Sequence, residues 1–576
     1  MKKTIKTIIN LSLLPLLLVS CGGNKDDSKK EKGFVTAEAM YLIPKYQNMD
    51  YVVSKDATFK YGYYQEQDQI IYMTLDVALS YLYKDNNVTR EIKNKVATYT
   101  IDNGMSFTVD SNNDTILAKK YSLINLFSMK YDSSLGIIDE ESTTKYVKDA
   151  GSVYTEEEDV LFNLKNYNLD IVYEKDDVYI PFSIVNYITF NPALYSSVCF
   201  NGSNFYLLNM LNGAMDLYYS GTAFADSFYH KSVWSGKKKE AYTAEHIYQS
   251  FMFSLDHFYG FNDERFVPFS SYLEKNEPQL VLDLKSTDES VYNKAVEKLI
   301  AEVIGDGHTN AGNATGLFGG GQYKMEYYTS QREQELYMHQ YEVSSLRRQA
   351  GVKVNQLRFS GKTAILSFDG FNHSSTEFNQ GNIEAYAENN RDTFALFYKS
   401  FKELEAKTGI ENVIFDITCN GGGDTNALVP MAGFLTDVVR CNMYNPLNKQ
   451  NGALAYKVDT NLDGKYDEND NYADKYNFYI LTSNFSFSCA NLFPHMLQEN
   501  GVAKIIGEQS GGGACVVYYT ATPDGRCYRI SGNMRNGYDD NHAAHDDFGV
   551  EVDYELSKSH FYSDSYLNNF VNNLPN

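Results

Sequence analysis

The stretch "YILTSNFSFSCANLFPHML" changes character midway. Tyr479 to Thr482 reads as an apolar strand, while Leu492, Phe493, Met496 and Leu497 take up helical spacing. Ser488 stands where the strand gives way to the helix. A helix N-terminus favours developing negative charge and so suits a nucleophile; it equally suits an N-cap, and taken alone Ser488 reads as a cap. Acyl transfer also needs a base within hydrogen-bond reach, a group to orient that base, and N–H donors for the oxyanion. Asn420-Gly421-Gly422-Gly423 follows the strand "VIFDI", and bare backbone at Gly421 or Gly422, together with the Cys489 N–H, would supply such donors. Read alone, the glycine run is a tight turn, and it lacks the Lys-Ser/Thr ending of a phosphate-binding loop. Among ten histidines, His308 in "GDGHT" lies just past a helix ending near Ile304. By itself it reads as a capping group.

A different chemistry is written in "DTNLDGKYDEND". Asp459, Asn461, Asp463, Gly464, Asp467 and Asp470 fall on positions 1, 3, 5, 6, 9 and 12 of an EF-hand-like loop, with the Lys465 carbonyl at position 7. The expectation is a structural Ca2+ ion of modest affinity, because Asp at position 12 reaches less far than Glu. The alternative is a solvated acidic loop, and flanking helices are not evident.

These residues need elements to position them. From 352 to 576 strands and helices alternate: "KTAILSFDGF" and "VIFDI" read as strands, "FALFYKSFKELEAKTG" and "NALVPMAGFLTDVV" as helices. "YNFYILTS", "ANLFPHMLQENG" and "AKIIGE" continue as strand, helix and strand. Helices of this length between strands imply parallel βαβ units, whose ligand sites gather at the C-terminal ends of the strands. "TCNGGGD", "SFSCA" and "GEQSGGGAC" all fall at such ends. Upstream, Val291, Ala295, Leu299 and Val303 recur at helical spacing before Gly305 breaks the helix. Residues 34 to 208 alternate aromatic strands with turn clusters, and "DDVYIPFSIVNYIT" reads as a strand feeding a helix, faintly like the modules of bacterial surface stalks.

The N-terminus "MKKTIKTIINLSLLPLLLVSCGG" has a basic start and an apolar core from Ile8 to Val19, as a secretory signal does. "LVSC" resembles the lipobox of bacterial lipoproteins, with Cys21 as the lipidated residue. The following "GGNKDDSKKEKG" suits a flexible tether. The expected location is therefore the bacterial cell envelope, extracytoplasmic and held to the membrane by lipid. With 51 Lys+Arg against 74 Asp+Glu, the net charge of −23 excludes nucleic acid as the main partner. The 48 tyrosines and 34 phenylalanines fit β-rich domains; carbohydrate binding is the sharper alternative. Six further cysteines show no zinc spacing, and Cys515 with Cys527 is a candidate pair.

In combination the motifs say more than each does alone. "GDGHT", a strand with "NGGG", then strand–"SFSCANLF"–helix and "IIGE" resemble the tail-specific (C-terminal processing) serine peptidases, family 41 of the serine peptidases, over about 275 to 560. The resemblance implies an α/β fold: a ClpP/crotonase-like core of βαβ units, preceded by a small helical segment and an N-terminal α+β domain. It implies Ser488 as nucleophile, with Ser486 the fallback. Many members pair the serine with a lysine after "GE"; the matching position here is Gly513. The tricorn-like branch instead takes a histidine from "D-G-H", which His308 matches, and an acid before "G-V-x-P-D". "HDDFGVEVD" places Asp546, or else Asp547, there, where that branch has Glu. It also has a serine before the histidine, replaced here by Gly307. His373 and His495 are rival bases outside any matching motif. About fifty residues separate His308 from Lys362, too few for the family's peptide-binding PDZ module.

The reading at this level is a lipid-anchored, extracytoplasmic serine endopeptidase acting on a peptide or protein substrate through Ser488, His308 and Asp546. Its organisation is a signal at 1–20, a tether at 21–33, the N-terminal domain at 34–208, a helical segment at 209–351 and the core at 352–576. The alternative is an inactive homologue serving as a surface binding protein.

Overall fold

A computed structural model describes residues 33–44, 51–82, 88–102, 104–121, 146–194, 196–209, 226–312, 316–318, 327–374, 378–387, 392–536 and 545–575. The lipobox and Cys21 lie outside these residues.

The C-terminal core is built on one sheet whose strand order follows the chain: β1 (Leu357–Ser360), β2 (Thr363–Ser367), β3 (Asn412–Asp416), β4 (Asn477–Thr482), β5 (Ala503–Gly507) and β6 (Tyr554–Glu555). β2 to β6 are parallel and β1 runs antiparallel at the edge. Every residue of β2 and β3 is buried, because both faces are covered and side chains alternate between them. Ala364, Leu366, Val413, Phe415 and Ile480 enter one core, beneath α1 (Thr393–Glu405), α2 (Thr425–Gly433) and α3 (Cys489–Glu499). Ile365, Ile414, Leu481 and Ile506 enter another, against Val343 of the helix Gln331–Ala350 and Leu567 and Val571 of the C-terminal helix Asp564–Asn572. This is the α/β arrangement of βαβ units that the alternation implied.

The glycine loop leaves the end of β3 and the Ser488 turn leaves the end of β4, so adjacent parallel strands deliver both to one edge of the sheet. α2 is shorter than expected. It stops at Gly433, where a Cβ would stand 2.5 Å from Val458 Cβ, and the chain turns into the strand Val439–Asn445.

The N-terminal part contains a seven-stranded and a five-stranded sheet, and the "VYIP" stretch is indeed a strand (Asp177–Pro181) leading into a helical turn (Phe182–Val185). The parts interlock. Val147–Asp149 pairs with Gln450–Val458, and Asn310–Gly312 pairs with Cys527–Asn536. Cys527, Tyr528 and Ile530 share one hydrophobic core with the N-terminal sheets and the helix Ala241–Phe258. Cys515 and Cys527 are both buried free thiols, as are the other four described cysteines. The candidate disulfide is absent because Cys515 faces Arg535 across the hairpin while Cys527 faces Ala521. Among the described residues, no helix is long and apolar enough to cross a membrane.

Candidate active site

Ser488 sits at the N-terminus of α3 with φ +58° and ψ −121°, a conformation that L-residues rarely adopt. An ordinary N-cap is extended and uses its side-chain oxygen on the first turn. Ser488 does neither. Its carbonyl accepts from the N–H groups of Asn491 (2.8 Å) and Leu492 (2.9 Å), while its side chain makes no capping bond. The turn is held from outside: Ser488 N–H donates to Gly512 O (2.9 Å) and Phe487 N–H to Asn420 O (3.2 Å). Ser486, two residues earlier, is fully buried. Its hydroxyl donates to Ile417 O (2.8 Å) and accepts from Ser483 N–H (3.0 Å). Ser488 instead lines a cavity of about 210 Å3, together with Gly423, Met443, Leu492, Ala514 and Val517.

The glycine loop closes on this corner. A Cβ on Gly422 would stand 2.7 Å from Ser488 Cβ and 3.0 Å from Cys489 N, and φ is +104°, so only glycine fits there. Of the anticipated oxyanion donors, however, Gly422 is engaged: its N–H donates to Asn420 Oδ1 (2.9 Å). Gly421 lies against the Phe485 ring and is not among the residues lining the Ser488 cavity. The neighbour Gly423 is better placed. It bridges to Phe371 through Gly422 O and Asp424 N–H, which leaves its own N–H facing the opposite way, and it lines the Ser488 cavity with Cys489. Cys489 is the first residue of α3, so its N–H has no intrahelical acceptor. Its thiol donates to Gly423 O (3.2 Å), and burial pushes its pKa up, so it stays protonated.

His308 is buried beside this corner, its ring centroid 4.6 Å from that of Phe487. Asp306, which motif matching did not single out, shapes the turn: it accepts from the N–H groups of His308 (2.9 Å) and Thr309 (2.7 Å) and from the Thr309 hydroxyl. An Asp two residues ahead in a glycine-flanked turn is the signal that would have identified it. The His308 carbonyl accepts from Arg529 Nε (2.6 Å). Burial, then Arg529, lower the imidazole to about 3, so it is neutral at pH 7. Gly513 occupies the place where the resemblance put a lysine in other members. A Cβ there would stand 2.7 Å from the Phe487 ring and 3.0 Å from His308 Cε1. The imidazole therefore fills the space that such a side chain would need.

Asp546 lies in the turn His545–Phe548, but its side chain is outside what is described. Asp547 is raised to about 7 by burial and by Asp306, against Arg265 and Arg332. The rival histidines face elsewhere: His373 interacts with Asp392, and His495 Nε2 lies 3.4 Å from Glu499.

The acidic loop folds on itself. Asp459 accepts from Asp463 N–H (3.0 Å) and Gly464 N–H (2.8 Å), Asp470 accepts from Asp467 N–H (2.8 Å), and Lys465 Nζ pairs with Asp463 (3.1 Å). Asn461 accepts a second bond from Asp463 N–H (2.9 Å), and Gly464 takes the positive φ that the sharp turn needs. Among the described residues, no three His, Cys, Asp or Glu side chains converge as a metal would require. In this conformation the carboxylates are satisfied by backbone and lysine.

Residues 363–556 match the sequence profile of peptidase family S41. Over that segment, about a third of its length, the chain is similar to this family. A solved structure from Parabacteroides merdae, classed as a peptidase, is 15% identical with a TM-score of 0.40, over 57% of this chain and 96% of its own. A lipoprotein from Streptococcus agalactiae is 12% identical with a TM-score of 0.34, over 57% and 96%. The photosystem II D1 C-terminal processing protease is 17% identical with a TM-score of 0.25, over 36% and 46%. No curated protein matches the chain. The matched segment holds Ser488 and the glycine loop, while His308 comes from outside it.

Proposed function

We propose that the protein is a serine endopeptidase in which Ser488 attacks a peptide carbonyl and His308 takes its proton. The observation that carries this is the Ser488 corner: a strained residue at a helix N-terminus whose hydroxyl is spared from capping and opens on a cavity. The oxyanion that forms would be held by the Gly423 and Cys489 N–H groups, reinforced by the positive end of α3. His308, neutral, accepts the Ser488 proton and returns it to the leaving amine. A carboxylate against its Nδ1 would hold the tautomer and stabilise the cation; Asp546 is proposed for that role. The aliphatic lining of the Ser488 cavity, Met443, Leu492 and Val517, suits an apolar side chain next to the scissile bond.

Two further parts of the reading concern what surrounds the chemistry. Cys21 is proposed as the lipidated residue that anchors the chain to the outside of the bacterial membrane; intact-mass analysis of the membrane-extracted protein would show the acyl groups. Ca2+ is proposed for the Asp459–Asp470 loop, where it would displace Lys465 from Asp463 and draw the carboxylates together.

The decisive experiment is labelling by a fluorophosphonate probe. Wild type and Ser486→Ala should label and Ser488→Ala should not. One observation favours the rival reading of a binding protein: the imidazole is held far below its usual pKa, a poor base until an acid or substrate joins it. A folded wild type that takes no label would favour that rival.

A further inference from the structure

A second cavity meets the first at the glycine loop. It is an open groove of about 750 Å3 whose floor is Gly421, Gly422 and Phe485, and whose outer wall is the helix Gln331–Ala350. The two spaces lie on neighbouring residues of the loop: Gly422 lines this groove, Gly423 lines the Ser488 cavity, and a Cβ on Gly422 would meet Ser488. A substrate carbonyl seated between the Gly423 and Cys489 N–H groups therefore sends one flank into the Ser488 cavity and the other along the groove. An extended flank covers about 3.3 Å per residue, so several residues would contact the helix.

The helix determines what the groove prefers. Tyr337 and Tyr341, four residues apart and so on one face, are 52% and 73% exposed. Two arginines follow about two turns later, with opposite circumstances. Arg347 is neutralised by Asp369 through paired bonds of 2.5 and 2.6 Å. Arg348 has a single 3.4 Å contact to Ser344 Oγ and no ion pair among the described residues. With Asp369 spent on Arg347, Arg348 is the uncompensated charge of the groove, positive on a chain of net charge −23.

We infer that this groove receives the substrate flank opposite the Ser488 cavity, and that Arg348, with Tyr337 and Tyr341, selects a flank bearing a carboxylate. The carboxylate comes from an Asp or Glu side chain or from a free peptide C-terminus. A guanidinium takes a carboxylate through two parallel N–H bonds, and the tyrosine rings supply apolar contact beside it. The inference rests on the peptidase reading for the position of the scissile bond, but the selection it describes is one of binding.

The test separates the two. Ser488→Ala protein is incubated with a peptide library carrying Glu, Gln or Lys at each position, as free acids and as C-terminal amides, and retained peptides are identified by mass spectrometry. Fluorophosphonate labelling is measured in parallel on chains that keep Ser488. Acidic peptides should be enriched by up to about fivefold, as an exposed pair allows. Arg348→Glu, added to Ser488→Ala, should transfer the preference to Lys. Lys407→Glu, the same charge change outside the groove, should leave the preference as it was. Loss of enrichment on amidation alone would assign the C-terminal carboxylate; its persistence in amides would assign the side chain. Retention that ignores charge, or is indifferent to Arg348→Glu, overturns the inference. Labelling without such selection would leave the peptidase reading intact, and selection without labelling would leave only the groove.

Discussion

The Ser488 corner and the Asp459–Asp470 loop are both short polar turns at the edge of the same core, and they use their polar groups in opposite ways. In the acidic loop each described carboxylate already accepts backbone N–H groups or pairs with Lys465, so the loop is complete without a ligand. At the corner the Ser488 hydroxyl is left out of the capping pattern, and the N–H groups beside it face a cavity. A turn that satisfies itself is a structural element. One that leaves strained and unspent groups together is where chemistry is to be sought.

The sharpest way to break this contrast is to remove the unspent group. Ser488→Ala should abolish labelling and lower hydrolysis at least about a thousandfold, with the melting temperature unchanged. Ser486→Ala should do the reverse, keeping the label while losing about 1–3 kcal/mol of stability, because a buried carbonyl and N–H lose their partner. Denaturant titration beside the labelling assay checks both. Next in size is Gly422→Ala, which forces a Cβ against Ser488. A displaced oxyanion site should cost on the order of a hundredfold in turnover, read from kcat on any cleaved peptide; unchanged kcat would remove the glycine loop from the site.

The pH dependence of stability divides by sign. Asp547, raised to about 7, binds a proton in the folded chain that the unfolded chain releases near 4, so its contribution falls as pH rises between those values. His308, lowered to about 3, acts oppositely: the unfolded chain protonates it below about 6.5, and stability falls as pH drops. Asp547→Asn should therefore raise the melting temperature by roughly 2–5 °C at pH 8 and not at pH 4. A gain of equal size at both values would mean that the carboxyl is not the cause. The smallest effect sharpens the other half of the comparison. Calcium should raise the melting temperature by a few degrees through linkage, and Asp463→Ala should abolish that rise. A wild type indifferent to both calcium and EDTA would make the loop purely structural.

Sequence alone exposed the βαβ core because apolar strands and amphipathic helices alternate there with clear breaks. It brought Ser488 and His308 together only through the order of motifs, since the contact between Phe487 and His308 is made by tertiary packing. Three things stayed hidden. Whether a turn serine caps its helix depends on φ and ψ, which no residue type dictates. The choice between Gly422 and Gly423 turns on the Asn420 side chain folding back on the loop. Of the stripe Val291, Ala295, Leu299 and Val303, Ala295 and Leu299 are buried, but Val291 is exposed at 38% and Tyr292 and Val296 take the buried positions beside them. Apolar residues occupied both possible faces there, and only packing could decide between them.

The sheet that joins distant segments has a practical consequence. Cut at residue 352, the core would lose Val147–Asp149 from Gln450–Val458 and Asn310–Gly312 from Cys527–Asn536, leaving two raw strand edges open to pairing with other chains. It would also leave His308 behind. The N-terminal half is thus not a passenger that can be trimmed away or exchanged for another. Any shortened version of this protein should be judged first by whether it aggregates through those edges.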